Sequence, residues 1–452
     1  MIGMENNKNK KIYFCGVGGN GMSPLARLSV AFGYDVYGSD RSYDQGRNLE
    51  FFELLKKEGI KLVPQDGSVL DQSFDKFIVT RAVEDSIPDI KRAKELGLTI
   101  QKRPLYMQEL FKSSRNIAVG GTGGKSTTTG MIAHILSQLG MEPTAVNGAV
   151  MLNNNSNIMI GSPNLAVFEA DESDGMQDVI VLCPASIGVL TNISLDHFEI
   201  DELKNIFGYF VSHAKEGVVL NADCENSMQL KGLAKRVVTF GIEKEADISP
   251  RNVHVELQVP GIHNLANALA AIASCTLMGI EPQKAADALK TFKGIKRRLE
   301  LVADKKGIKV FDDFSSNPAK ITAALKTVKT LGKRVIAIFQ PHGFQPTKMM
   351  KDGYIETFST YLEGTDYILM PDIYYVGGSA NLVDGKVVPL PKDISSLDLI
   401  NGIKSPTAKY FQQRVDIPAY VASIAKDGDV VIVLGSRDET LPEFALSIAN
   451  SL

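Results

Sequence analysis

The feature that most constrains this chain is the stretch 118–129, AVGGTGGKSTTT. An apolar run, Ile117 to Val119, leads into Gly120, Gly121, Thr122, Gly123, Gly124, Lys125 and Ser126. The pattern then predicts a helix from Thr127 to about Leu139, with Gly140 placed to end it. Strand, glycine turn, Lys-Ser and helix in that order make a phosphate cradle. Glycines let backbone N–H groups approach phosphate oxygens, and the helix N-terminus adds partial positive charge. Lys125 adds a full charge, and the Ser126 hydroxyl suits Mg²⁺. Val119 stands where the general phosphate-loop pattern has its first glycine, so a plain glycine turn before a helix is the competing reading. With the cradle in place, the chain binds ATP or GTP.

At 452 residues the chain exceeds a single core, and 44% hydrophobic with 22% charged residues marks it as folded. Short apolar runs alternating with helical patterns predict an α/β fold of three consecutive α/β domains, 1–110, 111–298 and 299–452. The first is Rossmann-like: a strand at Lys11 to Cys15, the glycines Gly16, Gly18, Gly19 and Gly21, a helix to Phe32, and a strand ending at Ser39 and Asp40. Asp40 lies nineteen positions past Gly21, as in a dinucleotide-binding unit. The second domain is P-loop ATPase-like, with strands at Leu165 to Phe168, Ser186 to Leu190 and Val218 to Leu220 and a small-residue helix from about Asn264. The third is again Rossmann-like, with strands at Lys309 to Phe311, Arg334 to Phe339, Tyr367 to Met370 and Val430 to Leu434. A net charge of −3 gives no reason to expect nucleic acid or an anionic membrane as partner. No apolar run reaches the roughly eighteen residues of a membrane span, and the polar start MIGMENNKNKK has no signal core. Cys15, Cys183, Cys224 and Cys275 form no C-x-x-C pair and read as reduced thiols of a cytoplasmic protein.

Several constellations carry chemistry. The G-x-G-x-x-G at 16–21 serves NAD(H) or any diphosphate ligand, and a second nucleotide loop about 100 residues later argues against a plain dehydrogenase. Glu169, Asp171, Glu172 and Asp174 follow a strand end, where a carboxylate could supply Mg²⁺ with a hard oxygen, or where an acidic loop is simply solvated. Thr191, Asn192, Asp196 and His197 follow another strand; His197 is either a metal ligand or a satisfied structural histidine. His263, Asn264 and Asn267 could pair with an adenine edge, although Asn264 equally suits a helix cap. Arg297 and Arg298 suit phosphates, and Asp312 and Asp313 could accept hydrogen bonds from ribose hydroxyls.

In this order the segments resemble the Mur ligases, the ADP-forming amide ligases of cell-wall precursor synthesis, over nearly the whole chain. The resemblance is closest to the subgroup holding the L-alanine-adding and the recycled-peptide-adding enzymes. It rests on GVGGNGMS at 16–23, GTGGKSTTT at 121–129, EADESDG at 169–175, TNISLDH at 191–197, GIHNLANALAA at 261–271, GIKRRLE at 294–300 and DDF at 312–314. It implies ATP held by Gly121, Thr122, Gly124, Lys125, Ser126 and Thr127, with Lys125 on the β- and γ-phosphates. It implies Mg²⁺ on Ser126, Glu169 and His197, and adenine facing His263, Asn264 and Asn267. Arg298 and Asp313 reach the nucleotide, and Lys125, His197 and Arg298 are the expected catalytic set. Gly18, Gly19, Asn20, Gly21, Met22, Ser23 and Asp40 are expected to bind a UDP-linked muramyl-type precursor, with Asn192 and His342 completing the substrate residues. The partners implied are that precursor and an amino acid or short peptide, joined through an acyl phosphate.

Departures from the subgroup pattern gather toward the incoming amine. Gly123 replaces a histidine of GTHGKT. Ser315, Ser316, Asn317 and Pro318 replace a G-H-H-P segment. Gly343 and Pro346 stand where the alanine ligases have arginines after FQPH, which is kept at 339–342. Lys348 is the nearest substitute cation, or a solvated surface lysine. The acceptor is therefore open between L-alanine, a recycled peptide and the unit of another wall polymer. A nucleotide-binding scaffold without catalysis is the non-enzymatic alternative. Oligomeric state is not legible from the sequence.

Overall fold

The computed structural model describes residues 7, 10–19, 21–80, 86–170, 185–194, 199–375, 381–383, 386–388 and 393–452. It divides into two compact units, Met1–Gln258 with Asn264–Ile295, and Val259–His263 with Lys296–Leu452. Asn20, Asp171, Glu172, Asp174, Cys183, Asp196 and His197 lie outside the described residues.

The first unit opens with β1 (Lys11–Cys15), α1 (Ser23–Ala31), β2 (Asp35–Ser39), α2 (Arg41–Asp44), α3 (Leu49–Lys57), β3 (Lys61–Leu62), β4 (Phe74–Val79), α4 (Pro88–Glu95), β5 (Ile100–Lys102) and α5 (Arg103–Phe111). The five strands run in the order β3-β2-β1-β4-β5 and every pair is parallel. Strand order reverses between β1 and β4, so the glycine turn after β1 lies at the switch point, where open α/β sheets take their ligands. Ile12, Tyr13, Phe14 and Cys15 are all buried, as in a strand covered on both faces. One node of this layer is polar. Asp89, fully buried in the first turn of α4, accepts hydrogen bonds from Tyr13 Oη (2.9 Å), Ser39 Oγ (2.5 Å) and the Gly67 amide (2.7 Å). Burial holds its carboxyl above the usual range, against the pull of those donors.

The same unit continues with β6 (Arg115–Gly120), α6 (Lys125–Gln138), β7 (Pro143–Met151), β8 (Ser156–Met159), β9 (Ser162–Glu169), β10 (Ile187–Leu190), β11 (Gly217–Asn221) and β12 (Val237–Phe240). Their sheet runs β12-β11-β10-β6-β9-β7-β8, parallel except for the β7–β8 hairpin at its edge. Strand β6 lies between β10 and β9, so the phosphate-loop turn leaves from the middle of the sheet. Helix α6 begins at Lys125, two residues before the expected start, because Gly124 at φ 83° turns the chain directly into the helix. The β7–β8 hairpin was not anticipated; its turn reads as a polar break, Asn153-Asn154-Asn155, with Asn155 left-handed at φ 50°. The two sheets of this unit share a core, with Phe111 stacked on Phe168 at 5.5 Å. Arg27 of α1 adds a polar tie, bonding Glu58 and, at 2.9 Å, Asn157 Oδ1.

The second unit holds β13 (Glu300–Lys305), β14 (Ile308–Asp313), β15 (Arg334–Phe339), β16 (Tyr367–Pro371), β17 (Asn381–Val383), β18 (Lys386–Val388), β19 (Thr407–Phe411) and β20 (Asp429–Leu434). Six of them form a sheet in the order β13-β14-β20-β15-β16-β19, in which only the β13–β14 pair is antiparallel. β17 and β18 form a separate antiparallel pair. Val430 to Leu434 are all buried, as the innermost strand of such a sheet requires. All three expected α/β layers are present. Among the described residues no helix is long and apolar enough to cross a membrane.

Candidate functional site

The first glycine turn is held from its own domain. Asp40 caps α2 through Ser42 N at 2.8 Å, and its second oxygen accepts from Gly18 N at 2.9 Å. The acidic residue at the end of β2 thus fixes the turn itself. A Cβ at Gly18 would fall 2.7 Å from Phe52 Cζ and 2.9 Å from Asp40 Oδ2, so this glycine is required by packing. At Gly19 the nearest atom would be Gly16 O at 3.4 Å, an ordinary contact. Met22 and Ser23 are buried at the start of α1. Arg103, not anticipated from sequence, brings its guanidinium here: a Cβ at Gly21 would lie 3.1 Å from Arg103 Nη1. Its sequence signal was only an Arg-Pro at a helix start.

The second turn is shaped by two neighbouring strands and one helix. Gly121 has φ 124°, and a Cβ there would fall 2.1 Å from Thr191 Oγ1; at Gly124 it would fall 2.3 Å from Asn267 Oδ1. Only glycine fits either place. Lys125 Nζ lies 2.9 Å from the Gly121 carbonyl. Thr122, Gly123 and Gly120 are bonded to Thr191, Asn192 and Ser194 beyond the end of β10. Asn267 is buried and accepts from Thr128 Oγ1 at 3.4 Å. Asn264 is buried within the first turn of the helix Ile262–Leu277 and therefore is not its cap, because that helix starts two residues earlier. Strand β7 ties two expected metal ligands together. Asn147 Nδ2 donates to the Ser126 carbonyl at 2.9 Å, and the next amide, Gly148 N, donates to Glu169 Oε1 at 2.5 Å. A glycine cradle, a lysine at a helix start and a hard carboxylate beside a serine are the donor set that a Mg²⁺–nucleoside triphosphate takes.

In the second unit, Arg297 and Arg298 divide the work that sequence left to either. The Arg297 guanidinium bonds Asp312 Oδ2 at 3.1 Å and the Gly435 carbonyl at 2.7 Å. Arg298 lies over the Phe314 ring at 4.8 Å. Asp313 accepts from Leu299 N at 2.7 Å and Ser315 N at 2.9 Å, which stabilises Leu299 at φ 47°. Burial pushes the Asp312 carboxyl up to about 6, with the Arg297 charge pulling the other way. His263 is also in this unit. Its Nδ1 is buried without a hydrogen-bond partner among the described residues, and burial keeps the ring below the usual imidazole range. His342 lies 3.3 Å from Ser436 Oγ, and burial together with Arg437 lowers its basicity. Asn317 caps the helix Pro318–Val328 through Lys320 N at 2.9 Å, so the segment replacing the histidines is a helix start. Lys348 is paired with Asp393 at the surface, which favours the solvated reading over that of a substitute cation.

Three open α/β layers with two phosphate-type turns define a protein of the nucleotide-binding class. Residues 11–115 match the Mur ligase family, catalytic domain; residues 119–275 match the Mur ligase middle domain; and residues 297–437 match the Mur ligase, glutamate ligase domain. The UDP-N-acetylmuramate–L-alanine ligase of Hydrogenobaculum sp. is 31% identical over 442 residues, 92% of this chain and 93% of that protein. The enzyme of the same name from Caldanaerobacter subterraneus subsp. tengcongensis is 32% identical over 465 residues, covering 96% of each. The crystal structure of UDP-N-acetylmuramate-alanine ligase from Thermotoga maritima superposes with a TM-score of 0.75 at 26% identity over 98% of both chains. A murein peptide ligase from Psychrobacter arcticus shares the fold, with a TM-score of 0.65 at 22% identity over 98% of both chains. The chain belongs to the Mur ligase family and is an ATP-dependent amide ligase of that class.

Proposed function

We propose that the chain joins an amino acid or short peptide to the carboxylate of a UDP-N-acetylmuramate-type precursor, with ATP converted to ADP and phosphate. The observation that carries this is the pair of built turns in one compact unit: one at 16–21 braced by Asp40, one at 120–124 braced from β10. Bound ATP with Mg²⁺ supplies the phosphoryl group that makes an unreactive carboxylate an acyl phosphate, from which an amine displaces phosphate.

In this reading Gly18, Gly19, Asn20, Gly21, Met22, Ser23 and Asp40 receive the diphosphate and nucleoside, and Arg103 adds the counter-charge. Gly121, Thr122, Gly124, Lys125, Ser126 and Thr127 cradle ATP. Ser126 and Glu169, with His197, hold Mg²⁺. His263, Asn264 and Asn267 meet the base, and the orphaned Nδ1 of His263 fits that role. Arg298 and Asp313 contact the nucleotide, and His342 serves the substrates. The domains responsible are those at 1–110, 111–298 and 299–452.

The acceptor is the finer point. The curated relatives support an amino acid of the L-alanine kind, because both carry that activity in their names. Gly343 and Pro346 favour a different acceptor, because neither offers a fixed charge for a small free carboxylate. Charge-assisted hydrogen bonds supply most of that discrimination. We therefore expect L-alanine to rank below another amino acid or a short peptide. The test is phosphate release with UDP-N-acetylmuramate and ATP across L-alanine, glycine, serine, glutamate and the recycled tripeptide. L-alanine leading in kcat/KM by about tenfold, roughly 1.4 kcal/mol, would make this an ordinary alanine ligase.

A further inference from the structure

Four of the five residues from Gly120 to Gly124 are glycines, so this turn has little conformational preference of its own. Fixing a residue's backbone costs about 1–2 kcal/mol, and something outside the turn must set its shape. Ser194 holds the Thr122 hydroxyl, and the support at Gly123 comes from two residues just past β10, which runs parallel beside β6 with Leu190 opposite Gly120. Asn192 covers three groups of the turn with its side chain. Its Oδ1 accepts from Thr122 Oγ1 at 2.7 Å and from Gly123 N at 3.0 Å, and its Nδ2 donates to Gly123 O at 3.1 Å. Its backbone carbonyl accepts from Thr122 N at 3.2 Å. The Gly123 amide can only donate, so the side-chain amide has one consistent orientation. Thr191 Oγ1 donates its single proton to Gly123 O at 2.6 Å, with Gly120 O a weaker arm at 3.1 Å.

The Gly123 carbonyl therefore receives two donors from the β10 side. A trans peptide places its carbonyl and the following N–H on opposite sides of the plane. Holding Gly123 O toward β10 aims the Gly124 N–H away from β10, on the side where the α6 N-terminus opens. The Thr122 and Gly123 amides point the other way, into Asn192. We infer that Thr191 and Asn192 are positioning residues for phosphoryl transfer: they preset the peptide between Gly123 and Gly124 in the orientation that receives phosphate. Neither residue need touch the nucleotide. This rests on the reading that ATP binds at this turn, and it reassigns Asn192 from substrate contact to loop support.

The test uses the full chain and two ligands, the non-hydrolysable analogue AMP-PNP with Mg²⁺ and, separately, UDP-N-acetylmuramate. Thr191→Val keeps the shape of the side chain and removes its donor. Thr191→Ser keeps the donor, and Asn192→Asp turns the Nδ2 donor into an acceptor facing Gly123 O. Losing a buried donor should weaken AMP-PNP binding by about tenfold or more in the Val and Asp variants. Thr191→Ser should stay within roughly threefold of wild type, as expected when the hydroxyl is what matters. UDP-N-acetylmuramate affinity should not change, and in turnover KM for ATP should rise while KM for the UDP-sugar holds. Thr191→Val binding AMP-PNP within about threefold of wild type would overturn the inference, as would a Ser variant no better than Val. Should Thr191→Val lose both ligands, Asn192→Asp decides by the same thresholds. A wild-type chain that binds the UDP-sugar but not AMP-PNP defeats the ATP assignment of the turn instead.

Discussion

Lys125 is the first residue of α6, and its ammonium rests 2.9 Å from the Gly121 carbonyl, inside the turn where it would offset phosphate charge. Lys125→Ala removes the full positive charge there and leaves the glycine geometry in place. Preorganised charge of this kind contributes factors of about a hundred or more to turnover, and a loss of that size is expected in ADP release. Near wild-type turnover in the variant would show that the turn does not bind the transferring phosphate. The first glycine turn allows an equally local test. Gly18 cannot accept a side chain without displacing Phe52 and Asp40, so a substitution there confounds folding with binding. Gly19 has room for one methyl group. Gly19→Ala is expected to weaken UDP-N-acetylmuramate binding in a calorimetric titration while AMP-PNP binding persists. Unchanged UDP-sugar binding would place that ligand elsewhere.

At the scale of elements, what was legible in the sequence was what local pattern controls. The strand–turn–helix units at β1–α1 and β6–α6, and the strands β14, β15, β16 and β20 of the second unit, follow from apolar runs, whereas β13, β17, β18 and β19, with fewer consecutive apolar residues, were not anticipated. What was not legible depends on partners far apart in sequence. Thr122 and Asn192 are 70 residues apart, and Tyr13 and Asp89 are 76 apart; neither pair has a local signature. The β7–β8 hairpin was missed because its turn reads as a polar gap, and Arg103 because an Arg-Pro helix start carries no ligand signal. Among the expected site residues, Gly121, Thr122, Gly124, Lys125, Asn192 and Asn267 gather around one turn, while Asp313 spends both oxygens on backbone amides. The Arg297–Asp312 pair beside it gives a pH test. The Asp312 carboxyl sits at about 6 in the folded chain against 3.8 for the free side chain. A raised acid pKa means the folded state keeps a proton that the unfolded state has lost. Stability therefore falls as pH rises from about 4 to about 6, by up to about 3 kcal/mol. Urea midpoints measured across pH 4 to 7 should fall less steeply in Asp312→Asn than in wild type, the remainder including Asp89, whose carboxyl burial also raises. Equal slopes in both would mean that another group titrates in that window.

For the whole molecule, the three layers match three successive models of one family, and the alignment with curated relatives runs almost from end to end. In the ATP turn Lys125 is kept and one departure from family pattern falls at Gly123, whereas the others fall at Ser315–Asn317, Gly343 and Pro346 in the second unit. We propose from this distribution that activation of the carboxylate is shared with the family and the choice of amine is what varies. The central claim is that ATP cleavage is coupled to amide formation on a UDP-linked carboxylate. The most direct measurement is mass spectrometry of the UDP-sugar after incubation with ATP, Mg²⁺ and the preferred acceptor, with ADP counted in the same sample. The expected result is a product heavier by the acceptor less one water, with one ADP for each product formed. ADP production with the UDP-sugar mass unchanged, or a product formed without ATP, would contradict the account.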